Sequence, residues 1–195
     1  MRSPSREIPP ELLLQAYASG YFPMADEETG EIGWYTADPR AILPLRPFHV
    51  PDRVRRWLKR EPFSLTRDRD FPAVVRACAD RASTWISAEI IRSYCRLHEL
   101  GFAHSVETWK EGKLVGGLYG VHLGGAFFGE SMFYRESGAS KAALVHLAEH
   151  LEARGFRMLE IQMITPLTAQ FGAVTITRRD YMPLLAQALS VQCEW

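Results

Sequence analysis

Residues 103–141, AHSVETWKEGKLVGGLYGVHLGGAFFGESMFYRESGASK, constrain the fold of this chain more than any other stretch. His104 to Trp109 alternates between polar and apolar side chains, and Glu111-Gly112 has the chemistry of a hairpin turn. Lys113 to Val121 is apolar with paired glycines, Leu123-Gly124-Gly125 is a second turn, and Ala126 to Phe133 is a third apolar run. A period of two, punctuated by glycine turns, predicts a three-stranded antiparallel meander. One carboxylate, Glu130, sits inside the most apolar of these runs. A charge in a sheet core is costly unless something pairs with it. Glu130 therefore either alternates outward to solvent or lines a pocket and meets a cationic or polar ligand group.

The flanking sequence supplies helices to cover such a sheet. Residues 1–8 are polar and expected to be loose. Pro9-Pro10 and Gly20 bracket a short helix over Glu11–Ser19. Tyr21-Phe22-Pro23-Met24 reads as an apolar bend, Gly33–Thr36 and Ala41–Leu45 as short strands, and Asp38-Pro39-Arg40 as a turn. Helices are predicted over Arg53–Arg60, Phe71–Asp80 and Ala88–Leu100, the last capped by Ser87. Phe63–Thr66 is a strand. After the meander, Leu144, Leu147, Ala148 and Leu151 fall at i, i+3, i+4 and i+7 within a helix over Lys141–Arg154. Met158–Ile164 and Ala173–Thr177 are strands, and Arg179–Leu189 is a last helix. The expected fold class is α+β: a small N-terminal domain over 1–39, packed on an acetyltransferase-like (GNAT-like) mixed sheet with flanking helices over 40–195. A meander followed by helix, strand and helix is the pattern behind that analogy.

Charge and composition narrow the function classes. Of 195 residues, 23 are Lys or Arg and 23 are Asp or Glu, so any polyanionic partner has to be held by a local patch. The dense basic cluster is Arg53, Arg56, Lys59 and Arg60, with three arginines at i, i+3 and i+7. It is either a solvated helix face or a contact for a phosphate backbone. Cys78, Cys95 and Cys193 have no close spacing, which fits reduced thiols in a cytoplasmic protein. His146 and His150 stand at i, i+4 without the glutamate of a zinc-protease helix, so no metal is expected. No run reaches membrane-spanning length.

Two further constellations carry chemistry. Arg135-Glu-Ser-Gly138-Ala139-Ser140 precedes a helix N-terminus, where backbone N–H groups suit a phosphate. It is close to the loop that grips the coenzyme A pyrophosphate in acetyltransferases, or it is an ordinary turn. Glu160 and Gln162, two residues apart on one strand, are expected on one face. A carboxylate and an amide there could orient an amine and accept its proton.

Several stretches together resemble the leucyl/phenylalanyl-tRNA–protein transferase family. They are Leu13–Tyr17 with Gly20–Pro23, Trp34 with Asp38-Pro39-Arg40, Thr84-Trp85-Ile86, Leu97-His98 with Ala103–Glu107, Leu114–Gly120, Gly129–Phe133, Ala139-Ser140-Lys141, Gly172-Ala173 and Arg178–Tyr181. They run in order over roughly residues 11–185. The resemblance implies an enzyme without a cofactor that takes Leu, Phe or Met from aminoacyl-tRNA. It would add that residue to an N-terminal Arg or Lys of an acceptor protein, marking it for N-degron degradation. The resemblance also implies the site. Gln162 would draw the amine proton, supported by Glu160, and Glu130 would bind near the terminal adenosine or acceptor. Trp85, Tyr94 and Phe127 would hold the 3′ end, with Met24 and Ser140 nearby. Leu118, Leu144, Leu147, Leu151 and Leu159 would form the side-chain pocket, and Arg53, Arg56, Lys59 and Arg60 would hold the tRNA acceptor stem of a monomeric enzyme. The chain departs from the family at Met24 (usually Trp), Glu160 (usually Asp), and Leu167, Gln170 and Phe171 in the following loop. An upstream Gly-Gly-Asp-Leu segment is absent. A coenzyme A-dependent acyltransferase using the Arg135 loop and a non-catalytic binder of tRNA or N-termini are the alternatives.

Overall fold

The structure, a computed structural model, describes residues 7–61 and 63–195. Residues 1–6 of the expected loose start lie outside these. Ile8 is not loose: it is buried, and its N–H donates to Ser93 Oγ at 2.9 Å. Helix α1 (Pro10–Ala18) leads into a two-stranded antiparallel sheet of β1 (Phe22–Ala25) and β2 (Ile32–Tyr35). β1 is the segment expected to bend at Pro23. Proline is tolerated because the strand has one sheet neighbour, so a missing N–H breaks no ladder.

β3 (Arg40–Leu43) belongs to a seven-stranded sheet with β4 (Ser64–Arg67), β5 (Ala103–Lys110), β6 (Lys113–Leu123), β7 (Ala126–Tyr134), β8 (Met158–Gln162) and β9 (Val174–Ile176). The order is β4-β5-β6-β7-β8-β3-β9. The meander is therefore β5-β6-β7, as its glycine turns dictate. All pairs are antiparallel except β7 and β8. The helices are α2 (Asp52–Leu58), α3 (Phe71–Ala79), α4 (Ala88–Glu99), α5 (Ala139–Ala153), α6 (Pro166–Ala169) and α7 (Arg178–Leu189). Side chains accept backbone N–H groups at four N-termini: Asp70 on α3, Ser87 on α4, Thr165 on α6 and Thr177 on α7.

Two apolar clusters sandwich the sheet. One gathers Leu13, Tyr17, Phe22, Val74, Ile90, Tyr94, Tyr119, Phe128 and Tyr181, from α1, α3, α4, α7 and the sheet. The other gathers Leu43, Val54, Leu118, Phe127, Leu144, Leu147, Leu151 and Leu159, centred on α5. The leucine stripe foreseen on α5 thus lies against the sheet. An amphipathic helix on a half-apolar sheet face is the simplest way to bury both surfaces.

Three local features set the site. β7 and β8 pair only through Ala126–Phe128 and Met158–Glu160, and then part. Each strand also carries one extra residue. In β7, Gly129 and Ser131 pair with Gly120 and Tyr119, leaving Glu130 unpaired between them. In β8, Glu160 and Gln162 pair with Ile42 and Ala41, leaving Ile161 over. A bulge re-aims side chains locally. Gly120 permits the first one, because a Cβ there would lie 2.2 Å from Phe128 O and 2.4 Å from the Phe127 ring.

Candidate active site between β7 and β8

Glu130 does not face solvent. It is 9% exposed and accepts three hydrogen bonds: from Tyr17 Oη to Oε1 at 2.8 Å, Tyr94 Oη to Oε2 at 3.0 Å and Gln162 Nε2 to Oε1 at 3.3 Å. The Tyr17 and Tyr94 hydroxyls also contact each other. Burial pushes the Glu130 carboxyl up to about 7; the two tyrosine hydrogen bonds oppose the shift and the charge of Glu160 adds to it. Burial holds Tyr17, Tyr94 and Tyr119 well above the usual phenol range, and Tyr17 and Tyr94 act as neutral donors to Glu130.

Glu160 is fully buried and differently held. Its Oε1 accepts from Arg40 Nε at 2.9 Å and from the Gln162 backbone N–H at 2.5 Å. Burial raises its carboxyl and the charge of Arg40 opposes that. Arg40, at 1% exposure, lies over two rings, with Cζ 5.1 Å from the Phe22 centroid and 5.0 Å from the Tyr181 centroid.

Gln162 joins the two carboxylates. It is half-buried with φ at 55°, a left-handed conformation that is uncommon outside glycine. Its backbone is pinned to Glu160 and its side-chain N–H points at Glu130. Donation from Nε2 fixes the amide orientation and leaves Oε1 as an acceptor. The strand expected to run to Ile164 ends here at Gln162, and Met163 beyond it is 67% exposed. As expected, Glu160 and Gln162 turn to the same side: Gln162 bonds Glu130, and Glu160 meets Arg40 and the charge of Glu130, while Leu159 and Ile161 belong to the opposite apolar cluster.

The other residues named from sequence fall into three groups. Met24 and Trp85 are half-buried on the tyrosine-rich side, joined by Ala25 N–H donating to Trp85 O at 3.1 Å. Tyr94, Phe127, Leu118, Leu144, Leu147, Leu151, Leu159 and Ser140 are buried, and the Phe127 ring stacks on Trp195 at 5.3 Å. Arg53, Arg56, Lys59 and Arg60 are all exposed. Helix α2 ends at Leu58, however, so Lys59 caps it and Arg60 lies beyond it. Two concavities, of about 280 Å³ beside α2 and α5 and about 520 Å³ between β3, β8 and α7, are lined by none of Glu130, Glu160 and Gln162. The chemistry, not the depth of a cavity, locates the site.

The Arg135 turn is covered. Trp57 packs on Gly138, where a Cβ would lie 1.9 Å from the indole, and Arg135 turns to Leu114 O at 3.3 Å. That indole occupies the approach a pyrophosphate would need. Among the described residues, Asp68, His98 and His104 bring nitrogen and oxygen donors together. Those donors are engaged with protein: His104 with Asp68 at 2.7 Å and Gly101 O at 3.1 Å, and His98 with Ala103 O at 2.8 Å.

Sequence reasoning missed Tyr17, Arg40 and Tyr181 as parts of the site. Arg40 stood in a quoted motif, Asp38-Pro39-Arg40, but nothing local shows that an arginine after a proline is buried. A relation over 120 residues of chain is what reveals it.

Comparison with known proteins agrees along the chain. The family described as leucyl/phenylalanyl-tRNA protein transferase matches residues 42–186, and its N-terminal domain matches residues 6–38. A leucyl/phenylalanyl-tRNA–protein transferase of Salinibacter ruber is 54% identical over 189 residues, covering 97% of this chain and 84% of that protein. One of Gloeobacter violaceus is 52% identical over 188 residues, covering 96% and 97%. Among solved structures, L-PGS from Bacillus licheniformis superposes with a TM-score of 0.50 at 13% identity, over 93% of this chain and 71% of that one. An aminoglycoside acetyltransferase from an uncultured soil sample covers 57% of this chain and 90% of its own, at 16% identity and a TM-score of 0.45. The L-PGS likeness concerns the fold alone, a mixed sheet with flanking helices as the order of elements predicts.

Proposed function

Because the chain belongs to the leucyl/phenylalanyl-tRNA–protein transferase family, we propose that the gap between β7 and β8 joins an amino acid esterified to tRNA to the α-amine of an acceptor protein. The observation that carries this is Gln162, pinned at its backbone by Glu160 and at its side chain by Glu130, with Oε1 left to accept. The amine donates a hydrogen bond to that oxygen, which aims its lone pair at the ester carbonyl. A carbon–nitrogen bond forms and the bond to the 3′ oxygen breaks. One amine proton is lost as the leaving oxygen gains one, so the products are a peptide bond and a free 3′ hydroxyl. The ester is already activated, and orientation supplies much of the acceleration.

The remaining assignments follow that chemistry. Leu, Phe or Met is the transferred residue, received by Leu118, Leu144, Leu147, Leu151 and Leu159; their shared apolar cluster supports this. Trp85, Tyr94, Phe127, Met24 and Ser140 border the 3′ end. An N-terminal Arg or Lys is the acceptor, its cation facing Glu130, which has hydroxyl and amide donors but no cation bonded to it among the described residues. Arg53, Arg56, Lys59 and Arg60 hold the acceptor stem, and their exposure supports it. Residues 1–39 form a small N-terminal domain and 40–195 the transferase domain of a cytoplasmic monomer that tags proteins for degradation. No helix among the described residues is long and apolar enough to cross a membrane.

The test is transfer of labelled Leu, Phe and Met from tRNA to peptides beginning with Arg, Lys or Ala. Label is expected on the Arg and Lys peptides alone, and acetyl-CoA is expected to donate nothing. Retained tRNA binding with no labelled peptide contradicts the enzymatic reading.

A further inference from the structure

Arg40 is the buried group whose role the transfer reaction does not explain. A guanidinium taken out of water and given one hydrogen bond to a fully buried carboxylate is costly, and an apolar pair of similar volume often stabilises a fold as well or better. Its Nη1 and Nη2 have no hydrogen-bond partner among the described residues. Its Cζ lies over the rings of both Phe22 and Tyr181. Such a group makes little sense as a core filler. It makes sense where it leads: Arg40 Nε and the Gln162 N–H converge on the same oxygen, Glu160 Oε1.

We propose that Arg40 is a positioning residue of the transfer site, holding Glu160 charged and in one orientation so that Glu160 keeps Gln162 turned toward the acceptor amine. The proposal rests on the reading of Gln162 given above and extends it by one residue. Glu160 is the longer of the two acidic side chains, with one more torsion to fix than an aspartate. The ion pair supplies that restraint from β3, the neighbouring strand, at the residue before Ala41, which pairs with Gln162 beside the β8 bulge. The groups around Glu160 are Arg40 on β3, Tyr181 on α7 and Glu130 on β7, with Tyr17, Tyr94 and Tyr119 beyond Glu130. Arg40 is the cation that lowers both Glu160 and Glu130, against the burial that raises them. Without it, Glu160 takes up a proton at a higher pH and loses the bond that fixes the orientation of its carboxylate toward the Gln162 N–H.

The test compares the full-length protein with Arg40→Lys, Arg40→Met and Gln162→Ala. Melting temperature, kcat, KM for both substrates, and the pH profile are measured. Arg40→Met is expected to lose about 100-fold in kcat with KM changed less than about threefold, and its activity limb moves to higher pH. Arg40→Lys keeps the charge and is expected to recover at least about tenfold of that loss with an unmoved limb. A folded Arg40→Met with wild-type kcat and pH profile overturns the proposal. If Arg40→Met does not fold, the pair Arg40→Met/Glu160→Leu removes both charges from the core; a folded double variant that still transfers also overturns it. Gln162→Ala separates the two levels. Turnover surviving there overturns the reading of the site and the role of Arg40 with it. Turnover abolished there but intact in the Arg40 variants overturns the role of Arg40 alone.

Discussion

Two buried carboxylates flank Gln162, and they are held by opposite means. Glu130 is surrounded by neutral donors: two tyrosine hydroxyls and an amide. Glu160 is locked to a guanidinium. Burial raises the Glu130 carboxyl to about 7, and the neutral tyrosine donors oppose that shift without supplying a full charge. An ion pair fixes charge and geometry together. The site thus carries one adjustable carboxylate and one rigid one, each bonded to a different end of the same glutamine.

If the two differ in this way, removing them has different consequences for stability. Glu160→Leu strands the Arg40 charge in the core and is expected to cost about 3–5 kcal/mol in a denaturant titration. Glu130→Gln strands no charge and is expected to cost far less at pH 8. Equal losses would break the comparison.

The next effect is in pH. A carboxyl raised from 4.5 to about 7 by folding binds its proton more tightly in the native state. Its contribution to stability is complete below pH 4.5 and is lost as pH rises toward 7, amounting to about 3 kcal/mol. Urea titrations of wild type and Glu130→Gln between pH 5 and 8 should show this slope in the first and its disappearance in the second. Persistence of the slope in the variant would assign it to another group.

A smaller effect separates the tyrosines. Tyr17→Phe deletes a hydrogen bond that favours the charged form of Glu130, so the midpoint of that pH dependence moves up, by less than about one unit, with a stability change of about 1 kcal/mol. The same midpoint in wild type and variant would mean that Tyr17 does not restrain Glu130. Smallest for stability is charge reversal of Arg56, Lys59 and Arg60, which lie on the surface and touch neither carboxylate. Stability is expected to change by less than about 0.5 kcal/mol. Affinity for aminoacyl-tRNA falls and its salt slope flattens by about 0.7–0.9 for each phosphate no longer neutralised, read from binding at several salt concentrations.

The legible parts of the molecule were the local ones. Period two with glycine turns was enough for β5-β6-β7, and period 3.6 for α5, because both patterns follow from which face is buried. Glu130 stood out as one acid in an apolar run, although its burial through tyrosines on α1 and α4 depends on chain 113 and 36 residues away. The two bulges were illegible, since one unpaired residue leaves no mark on an alternating pattern. β1 was obscured by Pro23, and α6, four residues between Thr165 and Gln170, is closed by a side-chain cap too short to show periodicity. Arg40 was named only within a motif, because ion pairing across 120 residues has no sequence signature.

The most direct test is a single-turnover measurement of labelled Phe passing from tRNA to an Arg-ended peptide, with wild type and Gln162→Ala at matched folded concentration. The account predicts transfer by wild type and a rate at least about 100-fold lower for the variant, at an unchanged melting temperature. Equal rates would contradict it.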